Sequence, residues 1–481
     1  MRSYLAHTKP NSPTNRSSWQ RYGAPCYASL FLWLGFYQLL GAGTVDRAGF
    51  GTLFFGLIVG GALSHWLFHL IPATMGMQTG YPTGVLGSST FGSRGAQVVP
   101  GLLLGLVQTA WLGASSFYAA KTLLPVFGMD GDLRGAPFFL VAGFWSCLFA
   151  LVGLRPLSQI IWLALLCLAP ALGLLYALLE AKDGISAHGL DLPEPYAAFT
   201  LTVHSVTGFF AATAALSPAV SRFFASKKDL GAAGVYGIII PAVVVGSIAL
   251  LTVAGAQGLD PGLAQNFGYL DAAGNVTGAL SSVILPLFLA GSIPASGFIA
   301  WMANDSIHVM LPGAPRAVVA AGVGAGSFLI AALGLPENLP VFLTVAAAFC
   351  APLCGIMAAD YWQHEKRWPH TRPGVNYAGY GAWAGGFLVG VIPLLPLPEH
   401  FLAVAHPSSV FACIAGFAGY IVLGNMGLKP YRKHRRKKVR LNSWEDETPE
   451  AVEQRRKSAG RRSHGRRDGE RQVNSSSEDE A

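Results

Sequence analysis

From about residue 25 to residue 428 the chain is a succession of long apolar runs broken by short polar, glycine- and proline-containing stretches. A helix needs about 20 predominantly apolar residues to cross a bilayer. Reading for runs of that length predicts about twelve spanning helices, near 25–45, 51–76, 97–127, 136–154, 156–180, 199–224, 231–256, 279–311, 316–335, 337–363, 375–398 and 401–428. The expected fold class is therefore an all-α membrane protein. It divides into an N-terminal segment (1–24), a transmembrane domain (25–428) and a polar C-terminal tail (429–481).

Composition strengthens this picture. Of 481 residues, 52% are hydrophobic and 12% charged, about half the charge of an ordinary soluble domain. Sixteen of the 33 Lys and Arg residues lie in the tail, which leaves 17 for the first 428 residues. With the N-terminus placed inside, 13 of those 17 fall on the cytoplasmic side and four, Arg47, Lys121, Arg134 and Lys182, on the outer side. That asymmetry predicts cytoplasmic termini, an even number of spans and residence in the cell membrane.

The tail opens with KPYRKHRRKKVR and ends in SSSEDEA. It has too little apolar surface to fold. Its basic half suits anionic lipid head groups, at about 1 kcal/mol per basic residue near the surface, and nucleic acid is not an expected partner. The polar N-terminal stretch up to Tyr22 lacks the early apolar region of a cleavable signal peptide. The six cysteines sit in or beside apolar stretches, where Cys packs as a small hydrophobe. No cofactor or metal site is expected, and no nucleophile–base constellation suggests an enzyme.

Ionisable groups within a span are costly, so each is a candidate functional residue. They are Asp305 in WMANDS, Asp360 in AADYW, His65 and His69 one helical turn apart in the second run, His204 in the sixth and His308 in the eighth. Asp360 is expected at the interface, facing Arg or backbone donors. The two histidines share a helix face, a spacing open to metal binding but with no third ligand nearby, and equally to hydrogen-bonded packing. Asn304, Asp305 and Ser306 form a polar cluster in a run interrupted by Pro294 and Gly297. In the third run, Gln108 and Trp111 share a face: an amide to pair with a flat ligand's edge and an indole to stack on its ring, or else a helix–helix hydrogen bond beside a packed Trp. The sixth run carries Phe209 and Phe210 as a second aromatic wall, with Gly208 and Pro218 weakening the helix. The first has Gly35 and then GAG at 41–43. Broken helices are tolerated where they border a cavity, and their freed carbonyls can hold cations or substrate.

The ordered set STFGSRG (89–95), GLLLGLVQTAWLG (101–113), the sixth run ending in SRFF, and APLCGIMAADYW (351–362) resembles the nucleobase:cation symporter-1 family of cytosine and purine permeases across about 25–428. The resemblance implies a 5+5 inverted-repeat (LeuT-like) fold plus two C-terminal helices, with the first and sixth helices unwound and the third and eighth flanking the site. It also implies roles: Trp111 stacks on the substrate ring, Phe210 covers its other face, and Gln108 and Asn304 read its edge. Gly35 would offer a carbonyl to a coupling cation. Met302 and Ala303 stand where the family carries hydroxyls; a second register, from Pro286, puts Gly297 and Phe298 there with Ser292 and Ser296 nearby.

The function expected is cation-coupled import of a planar nitrogen heterocycle (cytosine, a purine or a related compound) by alternating access. The coupling ion is expected to be H+, carried by Asp305, ahead of Na+ held with Ser292 or Ser296. A same-fold importer of an amino acid or vitamin precursor, and a non-transporting sensor, are the alternatives. The sequence leaves the oligomeric state open.

Overall fold

A computed structural model describes residues 4–429 apart from 42–43, 130–134, 187–193, 261, 264–267, 399–400 and 402–403. Two units divide the chain, 1–11 with 16–432 and 12–15 with 433–481; of the second, only Ser12–Asn15 are described, as a short turn. The basic tail lies outside the described residues.

The main unit is helical, with no strand among the described residues beyond an isolated Ser17–Phe224 bridge. Its helices are α1 (Gly23–Phe31), α2 (Leu34–Gln38), α3 (Phe50–Thr79), α4 (Gly95–Phe127), α5 (Ala136–Val152), α6 (Leu157–Ile185), α7 (Pro195–Ala214) and α8 (Ser217–Ser221). Then come α9 (Lys227–Leu259), α10 (Tyr269–Thr277), α11 (Ser281–Met310), α12 (Arg316–Ala332), α13 (Leu339–Trp362), α14 (Tyr377–Gly390) and α15 (Ser408–Leu423). Every apolar run read from the sequence holds helix. Eight helical stretches among the described residues are long and apolar enough to cross a membrane, and α5 and α12 are shorter apolar helices.

Burial sorts the helices into layers. In their most apolar windows 78% of α7 and of α13 is buried, against 28% of α6 and of the stretch that includes α15. The first pair is therefore central and the second peripheral. Large apolar side chains remain exposed, among them Trp66, Leu106, Phe144, Trp162 and Leu168. In water such a surface would drive association; in lipid it is the solvent-facing surface.

Two helices are interrupted, and they lead the two successive sets of five. Between α1 and α2, Trp33 adopts an extended backbone (φ −75°, ψ 135°). Between α7 and α8 the chain turns at Ala215 and Leu216, and Pro218 starts the new helix. Glycines let the surrounding helices close on these breaks. A Cβ on Gly291 of α11 would stand 2.6 Å from the Leu32 carbonyl, and one on Gly76 of α3 would stand 2.5 Å from the Pro218 Cα.

Asp360 is fully buried at the end of α13, where its Oδ1 accepts from Arg372 Nη2 and Tyr420 Oη, each at 2.8 Å. The Arg partner expected from sequence is present, but the 363–376 loop and α15 cover the pair.

Candidate functional site

The break between α7 and α8 sets up local chemistry. In an uninterrupted helix the Leu216 N–H would bond the Ala212 carbonyl; here it bonds Thr213 O at 3.0 Å. A backbone carbonyl left without its donor in a buried site needs another partner. Gln108 Nε2 donates to Ala212 O at 2.8 Å, and the Cys350 thiol reaches the same oxygen at 3.3 Å. The Gln108 amide is thus pinned to the break, and its Oε1, fully buried, has no partner.

One helical turn on, the Trp111 indole is buried and its Nε1 is likewise unpartnered. It lies edge-on to Phe209 (centroids 5.3 Å apart, planes at 85°) and tilted against Trp33 (5.1 Å, 57°). Phe36 and Phe31 close on Phe209 at 5.1 and 5.7 Å. Trp33 comes from the α1–α2 break, and a Cβ on Gly35 would lie 2.6 Å from its indole, so Gly35 lets that ring fold over α2. The result is an aromatic cluster drawn from both interrupted helices and α4. Phe210, its neighbour in sequence, points elsewhere: it stacks on Phe31 at 6.1 Å and meets the edge of Tyr27. The structure therefore brings Gln108, Trp111 and Phe209 together directly, and places Phe210 one ring away.

The α11 residues separate into two groups. Asn304 donates through Nδ2 to the Ala150 carbonyl of α5 at 3.1 Å, and its Oδ1 is unpartnered. Asp305 forms an ion pair with Arg222, just past α8, at 3.1 Å; that guanidinium also lies over the Trp301 and Phe223 rings. Both residues line a cavity of about 280 Å³ with Arg155, Trp301, His308 and Arg316. Further along α11, Ser296 is committed to a polar cluster, donating to Ser292 O and bonding Ser115 Oγ and Trp145 Nε1. Ser292 Oγ is buried without a partner, next to the Gly291 that packs under the Leu32 carbonyl. Of the two serines, Ser292 is the one with an oxygen to offer at the α1–α11 contact.

A second cavity, of about 90 Å³, is lined by Leu39, His204, Gly208, Phe209 and Thr344. Phe209 thus borders this cavity while packing against Trp111. No group of three or more His, Cys, Asp or Glu side chains suited to a metal occurs among the described residues.

The chain is 25% identical over 401 residues to the cytosine permease of Escherichia coli O157:H7, covering 76% of this chain and 84% of the permease. The cytosine permease of Escherichia coli K12 gives the same identity over 399 residues. This chain is a homologue of the cytosine permeases. No family model matches it. As a permease homologue with long apolar helices it is a multi-pass membrane protein, and its relatives are permeases and symporters rather than enzymes.

Its fold is that of Mhp1, a nucleobase-cation-symport-1 family transporter. The TM-score is 0.66 at 16% identity for the closed conformation with bromovinylhydantoin bound, covering 88% of this chain and 96% of Mhp1. The inward-facing conformation of Mhp1 gives 0.61 at 14% identity. A Na+-coupled sialic acid symporter gives 0.54 at 13% identity, covering 87% of this chain and 93% of the symporter. The permease homologue is accordingly all-α with the LeuT-like architecture. In that frame α1–α2 and α7–α8 are the interrupted first helices of the two repeats, and α4 and α11 flank them.

Sequence reading alone passed over Trp33, Arg222 and the Ala212 carbonyl. Trp33 had a signal, a large aromatic two residues before Gly35 in an interrupted run. The other two depend on where α8 turns, which no pattern in the chain specifies.

Proposed function

We propose that this permease homologue imports a planar nitrogen heterocycle of the nucleobase type, coupled to a cation, by alternating access. The observation that carries the reading is the pairing of Gln108 Oε1 and Trp111 Nε1, a buried acceptor and a buried donor without partners, three residues apart on α4 and beside the Phe209 ring that meets Trp111 edge-on. An unpaired buried polar atom costs about 1–3 kcal/mol. A ligand edge that presents one N–H and one acceptor relieves both. Rings of Trp111 and Phe209 supply stacking worth about 1–3 kcal/mol each, by analogy with bases on aromatic side chains. These rings are now packed on one another, so a ligand enters by displacing Trp33 or Phe209. Homology to cytosine permeases and the hydantoin-bound Mhp1 fold support the same ligand class.

The positive-inside count supports cytoplasmic termini in the cell membrane. On that orientation the cavity holding Asp305 opens to the cytoplasm and the one bordered by Phe209 faces outward. Twelve spans over 25–428 and a solvated tail complete the proposed organisation. The purified chain in proteoliposomes, offered labelled cytosine, adenine, hydantoin and leucine under an imposed cation gradient, tests the reading. Accumulation of a heterocycle and not of leucine is expected; accumulation of leucine alone would overturn it.

A further inference from the structure

We propose that His65 and His69 together form a proton-binding site in the middle of the helical bundle, and that this pair, not Asp305, carries the coupling proton. The proposal rests on the cation-coupled reading above and names its cation.

Both residues sit near the midpoint of the 30-residue α3, in a π-helical stretch spanning Ser64–His69. Such a bulge re-aims side chains and often marks a functional position. Here it brings the two Nδ1 atoms to 3.1 Å. His69 is fully buried with Nε2 unpartnered, and His65 keeps 6% exposure. A second π-helical stretch, Val235–Ile239 of α9, follows Gly234, whose Cα lies against His65 so closely that a Cβ there would fall 2.0 Å from Nδ1. The backbone is thus fitted around the pair.

The surrounding helices bring few titratable groups. Tyr27 of α1 meets His69 edge-on at 5.1 Å, and Cys26 precedes it. The thiols on the neighbouring helices are Cys350 and Cys354 of α13 and Cys413 of α15, while Tyr236 of α9 stacks on Trp19. Between Val206 and Ala214, α7 has no titratable residue. Among the described residues no Asp, Glu, Lys or Arg pairs with either imidazole. Any charge on the pair is therefore held by the pair itself.

The bond between the two Nδ1 atoms requires one Nδ1–H and one lone pair, so the rings occupy opposite tautomers. One ring then has a bare Nε2 and the other an Nε2–H. An incoming proton adds to the bare Nε2 lone pair and breaks no bond. Transfer across the Nδ1–Nδ1 bond and loss of the other ring's Nε2–H returns the pair to neutrality with the tautomers exchanged. One proton enters and one leaves. The pair is coupled to the substrate region by packing: the Tyr27 ring that touches His69 also meets Phe210, which stacks on Phe31 at the end of α1. A proton on His69 therefore stands one ring away from both interrupted helices. Asp305, by contrast, already has the Arg222 guanidinium as a fixed counter-charge.

The test uses the full chain in proteoliposomes with labelled cytosine. For each variant, accumulation driven by an inward proton gradient is divided by counterflow exchange, which needs no gradient. In His69→Asn this ratio should fall about tenfold relative to wild type. Gly234→Ala, which changes neither histidine but displaces His65, should lower it in the same direction. A ratio within about twofold of wild type in both variants overturns the proposal while leaving cytosine transport intact. If wild type takes up no cytosine, the substrate reading fails instead, and ¹⁵N NMR of the histidine-labelled protein in nanodiscs decides the proton site. A hydrogen-bonded pair of ring signals whose protonation changes together with pH, lost in both His65→Gln and His69→Asn, is the expected result. Its absence from wild type overturns the proposal.

Discussion

Gln108 of α4 donates to the Ala212 carbonyl of α7 at 2.8 Å, at the point where the α7 ladder is interrupted. The bond joins the helix that carries Trp111 to the helix that carries Phe209. Its other amide atom, Oε1, is buried without a partner, as the proposed ligand edge requires. Gln108→Leu removes both, and strands Ala212 O with only the Cys350 thiol. The expected result is a loss of heterocycle affinity of about tenfold or more, from a lost buried hydrogen bond of about 1–3 kcal/mol, together with a lower Tm in detergent. Gln108→Glu should restore the acceptor but not the bond to Ala212. Equilibrium binding on the purified variants checks both; unchanged affinity in Gln108→Leu would remove the residue from the site.

The ring contacts separate Phe209 from Phe210. Phe209 lies on Trp111, whereas Phe210 lies behind it against Phe31 and Tyr27. Trp111→Ala should abolish measurable binding, and Trp111→Phe should keep part of it. Phe209→Ala should weaken binding by roughly 5- to 100-fold, consistent with a stack of about 1–3 kcal/mol, and by more than Phe210→Ala does. A larger loss in Phe210→Ala would mean that the rings exchange places when substrate enters.

Asp305 and Arg222 tie α11 to the end of α8 at 3.1 Å on the side that bears the 280 Å³ cavity. Asp305→Asn leaves the guanidinium with only the Trp301 and Phe223 rings. Counterflow of cytosine should become faster because that side opens more readily, with coupling to the proton gradient retained. The double variant Arg222→Gln/Asp305→Asn lacks the same tie and should be about as fast as Asp305→Asn, the two changes not adding. Loss of proton-driven accumulation in Asp305→Asn, with His69 intact, would move the coupling proton to Asp305.

The tail from Arg432 onward follows the last span and has no apolar periodicity. Its deletion should leave transport affinity unchanged and lower only the amount of protein in the membrane. A large loss of affinity would place the tail in the transport pathway. Binding of the intact chain to vesicles with and without anionic lipid measures what the basic half contributes, and salt should weaken it.

Much of this protein was legible in its sequence because lipid allows a chain few options. Backbone groups cannot go unpaired in hydrocarbon, so each long apolar run had to be a helix, and helix is what each contains. The polar residues that interrupt the runs, Gln108, His65, His69 and Asp305, were legible as candidates for the same reason. Which partner each one takes was decided only by the packing of distant segments. Gln108 meets Ala212 across 104 positions and Asp305 meets Arg222 across 83. Phe209 and Phe210 are adjacent, and one-residue spacing turns a helix by about 100°. The apolar pattern alone therefore named an aromatic wall of both rings, and the family resemblance chose Phe210 for it, but packing sets Phe209 against Trp111. Likewise, the i,i+4 spacing of His65 and His69 put them on one face. The close Nδ1 contact depends on a π-helical bulge and on Gly234 of another helix, and both exist only once α3 and α9 are packed together.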